Sequence, residues 1–303
     1  MVSAMNKPYI RRFCEEFDYP EEAIRAFEDA ADYVFRDGTL RVMFEQSLED
    51  YQAGKAIDPW KHYEQMTKYA AKLTDAHYET IDLLFFILHA EHLETRYAER
   101  GLPRTMWHDA MNDLRCKAFE CNRCKGIWGT FVGSWFPGFF SLGRVALGRL
   151  QFQPSFKANG ARTADGKDWL EPREPYIEIH IPSSGKLYIE DVKASLEMAK
   201  TYYASVFEGM DHMHFGCHSW LLFQKHREWL PPTSGIVQFM NLFSIVPSAE
   251  PDYADDLWRI FNIREIKDYG ALPEDTLLRR KYKEFLLAGG RQESAFGLIR
   301  MAL

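Results

Sequence analysis

A chain of 303 residues, 46% hydrophobic and 15% aromatic, holds enough apolar material for two packed cores and excludes a disordered protein. Its net charge of -7 excludes a general nucleic-acid binder, which needs a clustered basic excess to neutralise phosphate. The N-terminus Met-Val-Ser-Ala-Met-Asn-Lys-Pro lacks an apolar signal core, and no run of about 18 apolar residues offers a membrane span. Five cysteines, an odd number with three between 116 and 124, do not read as a secreted disulfide framework, so a soluble, cytoplasmic chain is expected.

Residues 6 to 130 read as helices joined by short breaks. Pro20-Glu21-Glu22 opens a helix with proline and acids in its first turn, and Asp37-Gly38 closes it. Further helices are expected at Leu40 to Ala53, Pro59 to Lys72, Asp75 to Arg100 and Pro103 to Lys125. The fourth of these five carries Ile81, Leu83, Leu84, Phe85, Phe86, Ile87 and Leu88, apolar nearly all round, and is expected at the centre of this half. After Lys125, glycines 126, 129, 133, 138, 143 and 148 alternate with aromatics and signal turns and strands, which places a domain boundary near 130. The organisation expected is α+β: a helical domain at 1–130 and a mixed α/β domain at 131–303.

In the second half, Leu147 to Pro154 reads as a strand ended by proline, and Lys157 to Lys167 as a hairpin loop. Tyr176 to Pro182 alternates β-formers with Glu178 and His180. Apolar residues Val192, Leu196, Ala199, Tyr203 and Val206 then mark a helix from Glu190 to Phe207. The apolar stretch Met213 to Leu222 completes a βαβ unit with a parallel pair, whose ligands usually sit at the carboxyl ends of the strands. A further strand is expected at Ile236 to Val246, with helices at Asp255 to Phe261 and Leu277 to Ala288.

The motifs Leu147-Gly-Arg-Leu-Gln-Phe, His180-Ile-Pro-x-x-Gly, Cys217-His-Ser-Trp-Leu-Leu and the stretch holding Ile236 to Phe239 resemble the two-domain bacterial acyltransferase-domain proteins, which join a helical N-terminal domain to a GNAT-like C-terminal domain. The resemblance implies a cytoplasmic acyl-CoA-dependent N-acyltransferase, using acetyl-CoA or another acyl-CoA as co-substrate and a small-molecule amine as acceptor, without nucleic acid or membrane. It makes Tyr176 to Pro182 and Met213 to Leu222 the two strands that splay around the pantetheine arm. Pro182, Ser183, Ser184, Gly185 and Lys186 then stand at the pyrophosphate loop, with backbone N–H groups and the Lys186 charge available to an anion. Ordinary GNAT enzymes carry Gln/Arg-x-x-Gly-x-Gly/Ala there; this chain has Pro-Ser-Ser-Gly-Lys-Leu.

Acyl transfer to an amine needs a base for the amine proton and an acid for the departing thiolate. His180 is the candidate base, Glu178 a second on the same side of the strand, and Cys217 or Ser219 a candidate donor to the thiolate. Cys217 is alternatively a nucleophile if His218 or His180 lowers its pKa. Beside these stand plainer readings: a strand histidine, a buried small hydrophobe, a simple Ser-Ser-Gly turn, and structural arginines at Arg144 and Arg149. Cys116, Cys121 and Cys124 lack the second short pair of a zinc site, and His89-Ala-Glu91-His92 reads as a partly solvated helix end, so no metal is expected. The alternative function is a non-catalytic GNAT-like module that binds a ligand or partner.

Overall fold

Helices α1 (Lys7–Glu16), α2 (Glu21–Arg36), α3 (Gly38–Gln52), α4 (Trp60–Ala70), α5 (Tyr78–Glu99) and α6 (Arg104–Lys125) follow one another through the first half of the computed structural model. The model describes residues 6–303; residues 1–5, read above for a signal core, lie outside the described part. Helix α5 is central, as its all-round apolar pattern predicts. Ile81 to Leu88 are at most 4% exposed, and α1, α2, α3, α4 and α6 all pack against α5. His89, expected at a solvated helix end, is fully buried there. Its ring contacts Ser47 Oγ at 2.9 Å and the Phe85 carbonyl at 2.7 Å, and desolvation lowers its pKa to about 3, so it is a neutral core residue.

The boundary lies at 145/146 rather than near 130, because the glycine- and aromatic-rich segment belongs to the helical unit. Thr130 N–H donates to the Glu79 carbonyl at 2.9 Å, and Gly129 approaches that backbone so closely that a Cβ would stand 2.4 Å from the Glu79 carbonyl carbon. Beyond it, the short helix α7 (Pro137–Phe140) carries Phe140, whose carbonyl accepts from Tyr51 Oη at 2.9 Å. Glycine serves close approach here, which is why its spacing reads as a change of fold class in sequence.

The second unit is a mixed sheet with helices. Its elements are β1 (Val145–Leu147), β2 (Leu150–Phe156), β3 (Ala161–Arg162), β4 (Trp169–Leu170), β5 (Pro175–His180), α8 (Ile189–Tyr203), β6 (His212–Ser219), α9 (His226–Trp229), α10 (Gly235–Met240), β7 (Ser244–Val246), α11 (Leu257–Phe261), α12 (Leu277–Leu287) and β8 (Ala295–Ala302). The main sheet has the order β1-β2-β5-β6-β8-β7, and β3 pairs with β4 as a separate hairpin. The β5-α8-β6 unit is parallel, as its pattern predicts. Buried Val192, Leu196, Ala199 and Tyr203 form the inner stripe of α8, and Tyr203 Oη donates to the Phe152 carbonyl of β2 at 3.1 Å.

Three expected strands differ. Pro154 does not end β2 but lies inside it opposite Ile177, beyond the reach of three-residue β1, in an edge segment that tolerates a missing N–H. Strand β6 stops at Ser219, whose Oγ accepts from Leu221 N–H and turns Trp220–Leu222 into a 3-10 turn. Ile236 to Val246 is not one strand: Ser234 Oγ accepts from Val237 N–H and starts α10, and the strand is confined to β7. A short apolar run of this kind carries no period that separates strand from buried helix.

Two outcomes test this packing. Gly129→Ala is expected to lower stability in denaturant by about 1–3 kcal/mol or more, whereas Gly38→Ala, with open space at its Cβ position, is expected to change it little. Equal effects would place the glycine-rich segment off the helical unit. Asp82 of α5 accepts from Tyr63 Oη and Thr67 Oγ1, both at 2.9 Å, and burial pushes its carboxyl up to about 7. The folded chain thus favours the protonated form, and stability is lost as pH rises from the free carboxyl range near ~4 through about 7. Asp82→Asn is expected to gain on the native chain by ~2.5 kcal/mol between pH 5 and pH 8; a difference independent of pH would refute the shift.

Candidate functional site

The ladder between β5 and β6 pairs Ile177 with Phe215 and Glu178 with Gly216, and goes no further. Beyond those pairs β5 remains in antiparallel register with β2, from Phe156↔Pro175 to Gln151↔His180, while β6 remains in register with β8 as far as Ser219↔Ala295. Each strand follows its outer neighbour, so a stretch without main-chain pairing, the slot, separates Ile179–His180 on one side from Cys217–Ser219 on the other. Gly216 stands where the slot begins; a Cβ there would meet the Tyr176 ring at 2.6 Å and Phe296 at 2.8 Å.

Paired residues share a face and successive residues alternate, which sorts the predicted site residues. Glu178 and His180 lie on one face with Gln153 and Gln151 opposite them on β2. Gln153 Nε2 donates to Glu178 Oε2 at 2.9 Å and anchors that carboxylate. His180 is half-buried with its Nε2 buried. Its cross-strand neighbour Gln151 is 2% exposed, and its buried side-chain Nε2 has no partner among the described residues. Sequence reading passed over Gln151, whose only signal was its two-residue spacing from Gln153 on a strand facing His180.

Cys217 lies on the other face with Phe215, beneath the α8 side of the sheet. It is fully buried, and burial first, then the Glu178 charge, pushes its thiol well above the usual range. Neither His180 nor His218 shares its face, so the pairing that would activate it as a nucleophile is absent. His218 instead lies on the Glu178 face, across the slot from His180, and its Nε2 pairs with Asp252 Oδ2 at 2.5 Å. Ser219 Oγ is engaged as the turn cap described above. A cleft of about 700 Å³ opens beside His218, lined by Lys157, Ile245, Asp252 and Phe296 among others; His180 and Glu178 do not line it.

The loop from Pro182 to Lys186 is shaped from inside by Arg149. The guanidinium donates to the carbonyls of Pro182 at 3.0 Å, Gly185 at 3.1 Å and Lys186 at 3.4 Å, and the Arg149 N–H donates to Ser195 Oγ of α8 at 2.7 Å. Arg149 follows Gly148, whose φ of 67° makes the tight turn into β2. Gly185 itself has φ 101°. With the carbonyls held by Arg149, the N–H groups of Ser183, Ser184, Gly185 and Lys186 donate to no protein acceptor among the described residues. They precede the first turn of α8, where an anion is favoured, though Glu190 and Asp191 in that turn oppose it; Lys193 pairs with Glu190 at 3.1 Å. Ser183, Ser184, Gly185 and Lys186 are exposed and Pro182 is buried. Arg144, the other arginine singled out, is structural: it donates to the Trp135 carbonyl at 2.7 Å and stacks on that ring.

Residues 145–299 match the family model described as a GNAT-like C-terminal domain, and residues 8–142 the one described as an N-acyltransferase N-terminal domain. No curated protein matches the chain. Among solved structures it is similar to an acyltransferase in complex with decanoyl-CoA and teicoplanin, at 22% identity and a TM-score of 0.71, covering 96% of this chain and 87% of that one. It is also similar to an acyltransferase in complex with CoA and 10C-teicoplanin, at 20% identity and a TM-score of 0.72, covering 95% and 86%. A third, an acyltransferase in complex with decanoyl-CoA, is 23% identical with a TM-score of 0.69 and covers 95% and 86%.

The burial of Cys217 has a direct readout. Iodoacetamide at neutral pH is expected to leave Cys217 unmodified in the folded protein and to label it only on denaturation, as peptide mapping by mass spectrometry reports. Rapid labelling of the native protein would return the thiol to the candidate chemistry.

Proposed function

The chain belongs to the family that joins an N-acyltransferase N-terminal domain to a GNAT-like C-terminal domain, and we propose that it transfers an acyl group from acyl-CoA to an amine. The observation that carries this reading is the slot between β5 and β6, with a loop of unbonded N–H groups at its mouth. The pantetheine arm lies in the slot, where strand backbone beyond the last β5–β6 pair can bond its amides. The pyrophosphate takes the N–H groups of Ser183 to Lys186, and Lys186 adds charge.

In the transfer, the amine nitrogen attacks the thioester carbonyl carbon, the carbon–sulfur bond breaks, and the amine proton leaves. His180, with Glu178 anchored beside it, receives that proton; Gln151, paired with His180 across the strands and with its Nε2 buried, is the candidate to hold the thioester oxygen or a pantetheine carbonyl. The departing thiolate takes a proton from solvent or from the Ser219 hydroxyl once its turn opens. The buried Cys217 thiol plays no part. His218 with Asp252 stands across the slot as the second base candidate.

The donor chain length is open to direct measurement. Similar acyltransferases are in complex with decanoyl-CoA, which supports an acyl chain longer than acetyl for this protein as well. Their complexes with teicoplanin support an acceptor larger than a simple amine. Acyl-CoA is an intracellular metabolite and all five cysteines are free, which supports work in the cytoplasm.

Calorimetric titration with acetyl-CoA and decanoyl-CoA tests the reading first. Saturable micromolar binding of one of them is expected, lost in the Ser184→Asp, Gly185→Asp double variant by charge repulsion at the loop. Absence of binding up to millimolar ligand would favour a non-catalytic module, a reading to which the acids at the start of α8 and the departure from the common GNAT loop sequence lend support. His180→Ala is expected to lower kcat by about 10²–10⁴-fold with CoA binding retained. Retained activity in that variant, with loss in His218→Ala, would move the base to the other side of the slot.

A further inference from the structure

His212 and His214 stand two residues apart on one face of β6, at the end of the strand away from the slot. Glu174, just before β5, reaches both: its Oε1 lies 2.9 Å from Nδ1 of His214 and 3.4 Å from Nε2 of His212. All three ligand atoms fall within 4.8 Å of one another. The other carboxylate oxygen of Glu174 is taken by the Glu171 N–H at 2.7 Å, which fixes Oε1 toward the histidines. His214 is fully buried, and the Glu174 side chain is 8% exposed.

The far side of each ring is also held by a carboxylate. Nε2 of His214 lies 3.0 Å from Asp168 Oδ1, and Nδ1 of His212 contacts Asp211 Oδ1. With a carboxylate at the far nitrogen of each ring, the near nitrogen of each faces Glu174 Oε1. Ligating histidines characteristically show this arrangement. Arg300 Nη2 lies 3.1 Å from the same Nδ1 of His212 and 3.6 Å from Asp211 Oδ1, so it shares the Asp211 charge. Three carboxylates and one guanidinium put a formal charge of two negative around the two rings.

We propose that Glu174, His212 and His214 bind a divalent first-row transition ion, zinc foremost, with Asp168 and Asp211 orienting the two rings. Two nitrogens and one carboxylate oxygen are a zinc donor set, and one divalent charge neutralises the cluster. The ion ties residues 168–174, which lead from β4 into β5, onto the start of β6. It is a structural clamp remote from His180, and the cysteines at 116–124 take no part in it. In sequence His214 falls in the expected strand Met213 to Leu222 and His212 just before it; Glu174 is 38 residues upstream of His212, and no short spacing announces it.

The test uses the full chain, stripped with a chelator, desalted and titrated with zinc against a chromophoric chelator. One equivalent is expected to bind, and binding is expected to be lost in His212→Ala and in Glu174→Gln, with circular dichroism confirming that each variant is folded. Asp168→Asn is expected to weaken affinity about 10–100-fold through the ring it orients. Cobalt in place of zinc is expected to give the visible bands of a four-coordinate nitrogen and oxygen site. No stoichiometric binding, unchanged binding in either folded variant, or thiolate charge-transfer bands with cobalt would overturn the proposal, whatever the outcome for acyl-CoA.

Discussion

The early end of the β5–β6 ladder organises everything around it. β6 is tied to β8 along all eight of its residues, and β5 to β2 along all six of its own. Strands in a twisted sheet rotate relative to one another, and a central parallel pair held by different outer partners is the place where that strain resolves by separation. Two register pairs survive, at Ile177 and Glu178. Past them, backbone groups that a sheet would satisfy face a slot, and a ligand with amides of its own can take their place. Glycine at 216 belongs to the same arrangement, since the Tyr176 and Phe296 rings cross where its side chain would be.

Arg149 performs a second kind of division. A guanidinium offers donors only, so binding three carbonyls of the 182–186 loop fixes the carbonyl side inward and leaves the N–H side for an anion. A loop built this way has no need of the repeated glycines of the common GNAT sequence, because its shape comes from a side chain outside it. The arginine is itself placed by Gly148 and by Ser195 of α8, so β2, the loop and the helix form one unit around the candidate anion site.

The buried titratable groups divide by whether they meet charge. His89 and His226 lie among apolar or neutral neighbours and are held in their neutral forms: desolvation lowers His89 to about 3 and His226 to about 4. They fill the core. His214 is as deeply buried yet stands between Asp168 and Glu174, and His180 shares its face with Glu178. The chemistry proposed for this protein lies where a histidine keeps a carboxylate within reach, and burial alone does not mark it.

Periodicity in the sequence determined the helical first half, the central place of α5, the parallel β5-α8-β6 unit and the α+β class, because these rest on local patterns of burial repeated over many residues. It also placed Glu178 and His180 together, since strand alternation alone puts them on one face. Tertiary structure decided the rest. The boundary moved to 145/146 because glycines 129 and 133 serve contact with α5 and α4, and a glycine needed for contact looks in sequence like one needed for a turn. Ile236 to Met240 became helix because Ser234 caps it, a local bond that outweighs β-branched preference over so short a run. The roles of Cys217, Arg149, Gln151 and Glu174 depend on which face, loop or strand end lies opposite, and pairing between residues tens of positions apart leaves no trace in spacing along the chain.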